Sequence, residues 1–132
     1  MVSIISIKSK KLSGEIFVPG DKSISHRALI LGACAVGKTI IENLLESEDV
    51  FATLNALKIL GVNIKKNKNF WEIRGNGLGS LKSPDKILNL GNSGTGVRLL
   101  MGLVAGCDIT ESFTGDVSLS SRPMRRVLVP IQ

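Results

Sequence analysis

The stretch Pro19-Gly20-Asp21-Lys22-Ser23-Ile24-Ser25-His26-Arg27-Ala28-Leu29-Ile30-Leu31-Gly32 orders the reading of the whole 132-residue chain. Two turn formers open it, small and cationic side chains follow, and an apolar run completes it. Ile24, Ala28, Leu31 and Ala35 recur at helical spacing. This predicts a helix that begins near Asp21 or Ser23, where a short oxygen-bearing side chain caps free N–H groups, and that Gly37 closes. Lys22 and Ser23 then lie at a helix N-terminus, and Ser23 and Arg27 share one face of it. A helix N-terminus already favours anions, so the added hydroxyl and guanidinium suit a phosphate or a carboxylate.

Outward from this stretch the chain alternates strands and helices. Residues 2–7 and 14–18 read as short strands, 38–45 as a third, and Ser47 as the cap of a helix whose Val50, Leu54, Leu57 and Leu60 form an apolar stripe stopped by Gly61. Residues 62–66 and 70–74 flank Asn67-Lys68-Asn69 as a hairpin. The order is β-α-β-α-β-β. A Gly/Ser/Pro-containing connection spans about 75–84, and then the order restarts with a strand at 87–90, a glycine turn, a helix from about Thr95 to Ala105, and a strand at 109–114. The two starts superimpose, because Gly20 precedes Arg27 and Gly91 precedes Arg98 by the same interval. That points to a duplicated β-turn-α unit presenting a helix N-terminus twice. After Arg122-Pro123, residues Met124, Val127, Leu128 and Ile131 open an apolar helix face that runs to the last residue, Gln132, without a C-cap. The expectation is an incomplete α/β fragment that is marginally stable or associates with itself.

Composition narrows the partners. Seventeen Lys and Arg against eleven Asp and Glu give a net charge of +6, which suits anionic ligands. With no Tyr, one Trp and four Phe, there is little to stack on bases, which argues against nucleic acid. Cys34 and Cys107 lie in apolar helical patterns as free thiols, and the single His26 cannot build a metal site with them. No apolar run reaches membrane-spanning length and the first residues do not form a secretory signal, so the expected setting is cytoplasmic.

Two further stretches are candidate anion sites. Gly91-Asn92-Ser93-Gly94-Thr95-Gly96-Val97-Arg98 offers close backbone approach at its glycines, with caps and donors from Asn92, Ser93 and Thr95. Residues 114–126 form a polar loop with guanidiniums at Arg122, Arg125 and Arg126. A fourth stretch, Gly32 to Thr39, spells the phosphate-loop pattern G-x-x-x-x-G-K-[ST]. Its first glycine falls inside a helical run, however, and Lys38-Thr39 lead into β-branched residues.

Pro-Gly-Asp-Lys-Ser-x-Ser-His-Arg at 19–27, Gly-Asn-Ser-Gly-Thr-Gly-x-Arg at 91–98 and Gly-Asp-x-Ser-Leu-x-x-Arg-Pro-Met at 115–124 together resemble the N-terminal part of the 5-enolpyruvylshikimate-3-phosphate (EPSP) synthase family. The resemblance runs through the whole chain. It implies an enolpyruvyl transferase-like fold of repeated β-α-β-α-β-β units, with unit one at about 20–75, a linker at about 75–84 and a partial unit two at about 85–132. Residues 1–19 would then be strands of a second domain formed elsewhere. It also implies transfer of the enolpyruvyl group of phosphoenolpyruvate to the 5-hydroxyl of shikimate 3-phosphate, with release of phosphate and with no metal or cofactor. The full-length enzyme would be a monomer and a target of the herbicide glyphosate. By this likeness Lys22 lies between the substrates, Ser23 and Arg27 hold shikimate 3-phosphate, Gly94 and Arg122 border phosphoenolpyruvate, and Asn92 and Thr95 shape that loop. The principal carboxylate acid/base groups would lie beyond Gln132, so the chain alone is expected to be inactive. Gly96-Val97-Arg98-Leu99 stands where many members have Ala-Met-Arg-Pro, as in a divergent bacterial subgroup. The alternatives are a stand-alone anion-binding or interaction module and a phosphate-loop nucleotide-binding protein.

Overall fold

A computed structural model describes residues 3–9 and 11–132. The first helix, α1, spans Lys22–Cys34, and Asp21 caps it by accepting the Ile24 N–H at 2.8 Å. Strand β1 (Val36–Glu42), helix α2 (Glu48–Ile59) and the hairpin β2 (Asn63–Lys66) and β3 (Phe70–Asn76) follow. The hairpin's inner strand takes the centre of an antiparallel sheet of order β1-β3-β2. Ile73 there pairs with Thr39 on one side and Ile64 on the other. Trp71 and Ile73 turn inward with Leu29 of α1 and with Val50, Leu54 and Leu57 of α2, which is the period-2 strand face meeting the apolar helix stripe.

The second half repeats the theme on a smaller scale. Strand β4 (Leu88–Asn89), helix α3 (Gly94–Ala105) and strand β5 (Phe113–Thr114) make a crossover whose strands pair in parallel, and the short helices α4 (Val117–Ser120) and α5 (Arg125–Ile131) follow. Leu88, Leu90 and Leu100 are fully buried in the same core as Leu54 and Leu57, so both halves share one apolar interior.

Several expectations need correction. The strands expected at 2–7 and 14–18 are absent among the described residues. Residues 3–9 and 11–20 carry neither helix nor strand, and Val2 lies outside the described residues. No strand of either sheet pairs with these stretches, and β-forming side chains without a ladder partner do not make a strand. The first helix ends at Ala35, whose N–H reaches Leu31 O, so Gly37 belongs to β1 instead of closing the helix. Leu44 and Leu45 leave the third strand because Asn43 turns with φ +52° and the Leu45 N–H goes to Ser25 Oγ at 3.0 Å. The inward face of α1 is also not the expected one. Ile24 and Leu31 are 68% and 66% exposed, whereas Leu29, Gly32 and Ala33 are buried. A run apolar all round leaves the choice of face to packing, and the sheet takes the side with small residues.

No helix among the described residues is long and apolar enough to cross a membrane. The phosphate-loop letters are dispersed over three settings, with Gly32 inside α1, Gly37 paired with Gly75 at the positive φ of +107°, and Lys38 paired to Arg74 in the sheet. They do not form a loop that could wrap a phosphate.

Candidate functional site

At the start of α1, Lys22 Nζ lies 3.0 Å from Asp49 Oδ2 in the first turn of α2. One turn further along both helices, His26 Nδ1 lies 2.8 Å from Thr53 Oγ1. Equal steps on both sides mean that α1 and α2 run parallel with their N-termini together, so the positive ends of both helix dipoles face the same solvent region. Lys22 is half exposed there. Ser23 is exposed, and Arg27 folds back so that its guanidinium donates to Ser23 O at 3.0 Å. The structure therefore places Lys22, Ser23 and Arg27 side by side at one open, cationic helix end.

The second group forms around the turn before α3. Ser93 caps that helix by accepting the Gly96 N–H at 3.2 Å. Arg122, just after α4, donates to Asn92 Oδ1 at 2.6 Å and to Ser118 Oγ at 3.2 Å. Asn92 in turn donates to Asp116 Oδ2 at 2.6 Å, while Asp116 Oδ1 caps α4 at the Leu119 N–H. The Asn92 hydrogen bond, followed by the Leu119 N–H, holds the Asp116 carboxyl below its usual range. Arg98 donates to Gly94 O at 3.1 Å. It thus repeats in α3 the backward bond that Arg27 makes in α1, which gives the duplicated spacing of the sequence a structural counterpart. Gly94 sits under two guanidiniums: a Cβ there would lie 2.6 Å from the Arg122 NH1 atom and 3.0 Å from that of Arg98. Asn92, Gly94 and Arg122 are therefore one cluster. Thr95 follows Gly94 half-buried, and among the described residues its hydroxyl has no hydrogen bond to that cluster.

His26, Thr53 and Ser93 are fully buried between the two groups. Burial pushes the His26 imidazole below the ordinary 6.5; Asp49 opposes the shift, while Lys22 and Arg27 reinforce it. Between that lowered value and 6.5 the unfolded chain binds the proton and the folded chain does not, so stability rises with pH across the window. Denaturant unfolding is expected to show a lower free energy at pH 5.5 than at pH 7.5, with His26→Asn flattening the difference. A slope unchanged by that substitution would assign the effect elsewhere.

His26, Asp49, Thr53, Arg98, Asp116 and Ser118 belong to this arrangement and were given no site role from sequence. Thr53 carried a readable signal, a hydroxyl set among Val50, Leu54 and Leu57 on a buried stripe. Asp49 sits with Glu48 in the first turn of α2, an ordinary place for an acidic side chain. Among the described residues no three His, Cys, Asp or Glu side chains gather where a metal ion could be held. A cavity of about 210 Å³ lined by Val97, Met101, Phe113 and Leu119 includes none of the expected site residues. The candidate site is the open cationic surface.

The family model described as EPSP synthase (3-phosphoshikimate 1-carboxyvinyltransferase) matches residues 7–132. A protein of Rhodopseudomonas palustris named 3-phosphoshikimate 1-carboxyvinyltransferase is 55% identical over 126 residues, covering 95% of this chain and 28% of its own length. One of the same name from Zymomonas mobilis is 54% identical over 129 residues, covering 97% of this chain and 28% of its own. The structure of EPSP synthase from Acinetobacter baumannii matches with a TM-score of 0.84 at 45% identity, over 89% of this chain and 27% of that one. The chain thus spans about 28% of the length of the curated relatives it matches.

Proposed function

This chain belongs to the EPSP synthase family, and from that premise we propose that it supplies part of the active site of a 3-phosphoshikimate 1-carboxyvinyltransferase. The reaction joins two anions, phosphoenolpyruvate and shikimate 3-phosphate, whose mutual repulsion must be offset before the 5-hydroxyl can meet the enolpyruvyl carbon. The observation that carries the reading is the pair of arginine-crossed helix starts, α1 with Lys22 and α3 with Gly94 and Arg122. In this reading Ser23 and Arg27, both on α1, are contacts of this chain to shikimate 3-phosphate. Phosphoenolpyruvate spans from Lys22 to Gly94 and Arg122, with Asn92 and Thr95 shaping the loop. A compact ammonium and a planar guanidinium can neutralise its phosphate and carboxylate without competing for the same oxygens. Asp49 and Asn92 hold Lys22 and Arg122 in position when no substrate is bound, and the incoming anions take over those contacts.

The remaining chain can be supplied by a relative. A chimaera joining these 132 residues to the rest of the Zymomonas mobilis protein, called the completed enzyme below, is expected to release phosphate only when both substrates are present. The 132-residue chain alone is expected to release none. Phosphate release that needs phosphoenolpyruvate but not shikimate 3-phosphate, or none from the completed enzyme, would overturn the proposal.

A further inference from the structure

The contact that joins the two halves of the proposed site runs through side chains that belong to neither. His26 is fully buried on α1 and bonds Thr53, itself fully buried on α2. A Cβ on Gly96 would lie 2.5 Å from the Thr53 hydroxyl and 2.6 Å from Ser93 Oγ, so the first turn of α3 rests directly on Thr53. His26, Thr53 and Gly96 form one buried line across the beginnings of three helices. Lys22 and Arg27 lie on α1 to either side of His26, and Gly94 lies in the same turn as Gly96.

The hydrogen bonding defines the state of the ring. Thr53 has one hydroxyl proton, and His26 Nδ1 is the polar atom within reach of it among the described residues. Nε2 is buried without a partner. The arrangement that leaves fewest groups unmatched has the hydroxyl donating to Nδ1 and the ring proton on Nε2. A second ring proton, on Nδ1, would turn the Thr53 oxygen into the acceptor and leave its hydroxyl proton unmatched, so the neutral ring is the form that fits. An apolar side chain could fill this space without burying an unmatched N–H; what it could not supply is the bond to Thr53.

We propose that His26 is a positioning residue: its neutral ring, seated on Thr53, sets the separation between the cations of α1 and the Gly94–Arg122 cluster. The inference rests on the enolpyruvyl-transfer reading above, in which phosphoenolpyruvate spans both groups of this chain and shikimate 3-phosphate touches only the α1 group of the two. A change in the α1-to-α3 spacing then affects one substrate and spares the other.

In the completed enzyme, His26→Ala and the near-isosteric Thr53→Val should each raise the KM for phosphoenolpyruvate about tenfold, the scale of a small misplacement in a preorganised site. The KM for shikimate 3-phosphate and the turnover per folded enzyme should stay within about twofold to threefold. His26→Asn, whose amide reaches the position of Nδ1, should recover most of the phosphoenolpyruvate affinity. Because His26 is the single histidine of this chain, nitrogen NMR of the 132-residue protein reads its ring alone, and Nδ1 should be bare and Nε2 protonated at neutral pH. Thr53→Val keeps the question answerable if His26→Ala fails to fold. An equal rise in both KM values, an unchanged phosphoenolpyruvate KM in a folded variant, or a ring proton on Nδ1 would overturn the assignment while leaving the transferase reading intact. Absence of turnover in the parental completed enzyme would overturn both.

Discussion

Arg122→Ala in the completed enzyme should raise the KM for phosphoenolpyruvate roughly ten- to a hundredfold, the equivalent of about 1.5–3 kcal/mol for a hydrogen bond to an ionised group. Turnover should change less, because the guanidinium meets an anion that is charged before and after the transition state. Lys22→Ala should behave differently. Its ammonium lies 3.0 Å from Asp49, so removing it deletes a cation and also leaves a carboxylate facing an anionic substrate. If Lys22 also meets charge developing at the reacting carbon, its loss lowers the turnover number as well as the affinity. The double variant Lys22→Ala/Asp49→Asn separates the two effects, and it should recover binding but not turnover. Steady-state kinetics in both substrates, with Lys8→Ala as a remote charge control, reads all of this. Parental constants in Lys22→Ala and Arg122→Ala would remove residues 19–27 and 115–124 from one common site.

The parts of this arrangement legible in the sequence are those set by local chemistry. Asp21, Ser93 and Asp116 each stand where a helix needs a cap; Asp21 and Ser93 lie in stretches read as helix starts, although α4, which Asp116 caps, was not foreseen. The stripe of α2 was readable because Val50, Leu54, Leu57 and Leu60 recur at helical spacing while Asn55 and Lys58 fall off that face. In α1 that contrast is missing after Arg27. Only the approach of the sheet to Gly32 and Ala33 decides which side is buried. The pairing of Lys22 with Asp49 and of His26 with Thr53 was illegible for a different reason: it depends on two helices lying parallel in register, a tertiary fact with no local signature. Residues 3–9 and 11–20 show the converse, since β-forming composition gives no strand without a neighbour to pair with.

Two glycines in the first turn of α3 should respond to the same substitution in opposite ways. At Gly96 an added Cβ would lie 2.5 Å from Thr53 Oγ1 and 2.6 Å from Ser93 Oγ, both on fully buried residues held in a helix and at a cap. Neither can rotate away without giving up its hydrogen bond, to His26 or to the Gly96 N–H, so Gly96→Ala should destabilise the fold by about 1–3 kcal/mol, as overpacking of a tight core does. Loss of the Ser93 cap would add about 1 kcal/mol more. At Gly94 the atoms an added Cβ meets are the ends of the Arg122 and Arg98 side chains, at 2.6 and 3.0 Å, and such ends swing aside at little cost. Gly94→Ala should therefore leave the unfolding free energy within about 0.5 kcal/mol of the parent, the range of ordinary surface changes. It should nevertheless displace the Arg122 guanidinium from Asn92 and weaken phosphoenolpyruvate binding in the completed enzyme. Denaturant unfolding of the 132-residue chain and the phosphoenolpyruvate KM of the completed enzyme, measured on both variants, form a two-by-two test. Stability lost at Gly94 and kept at Gly96, or a Gly94→Ala enzyme with parental phosphoenolpyruvate affinity, would show that the space above Gly94 is not where Arg122 acts.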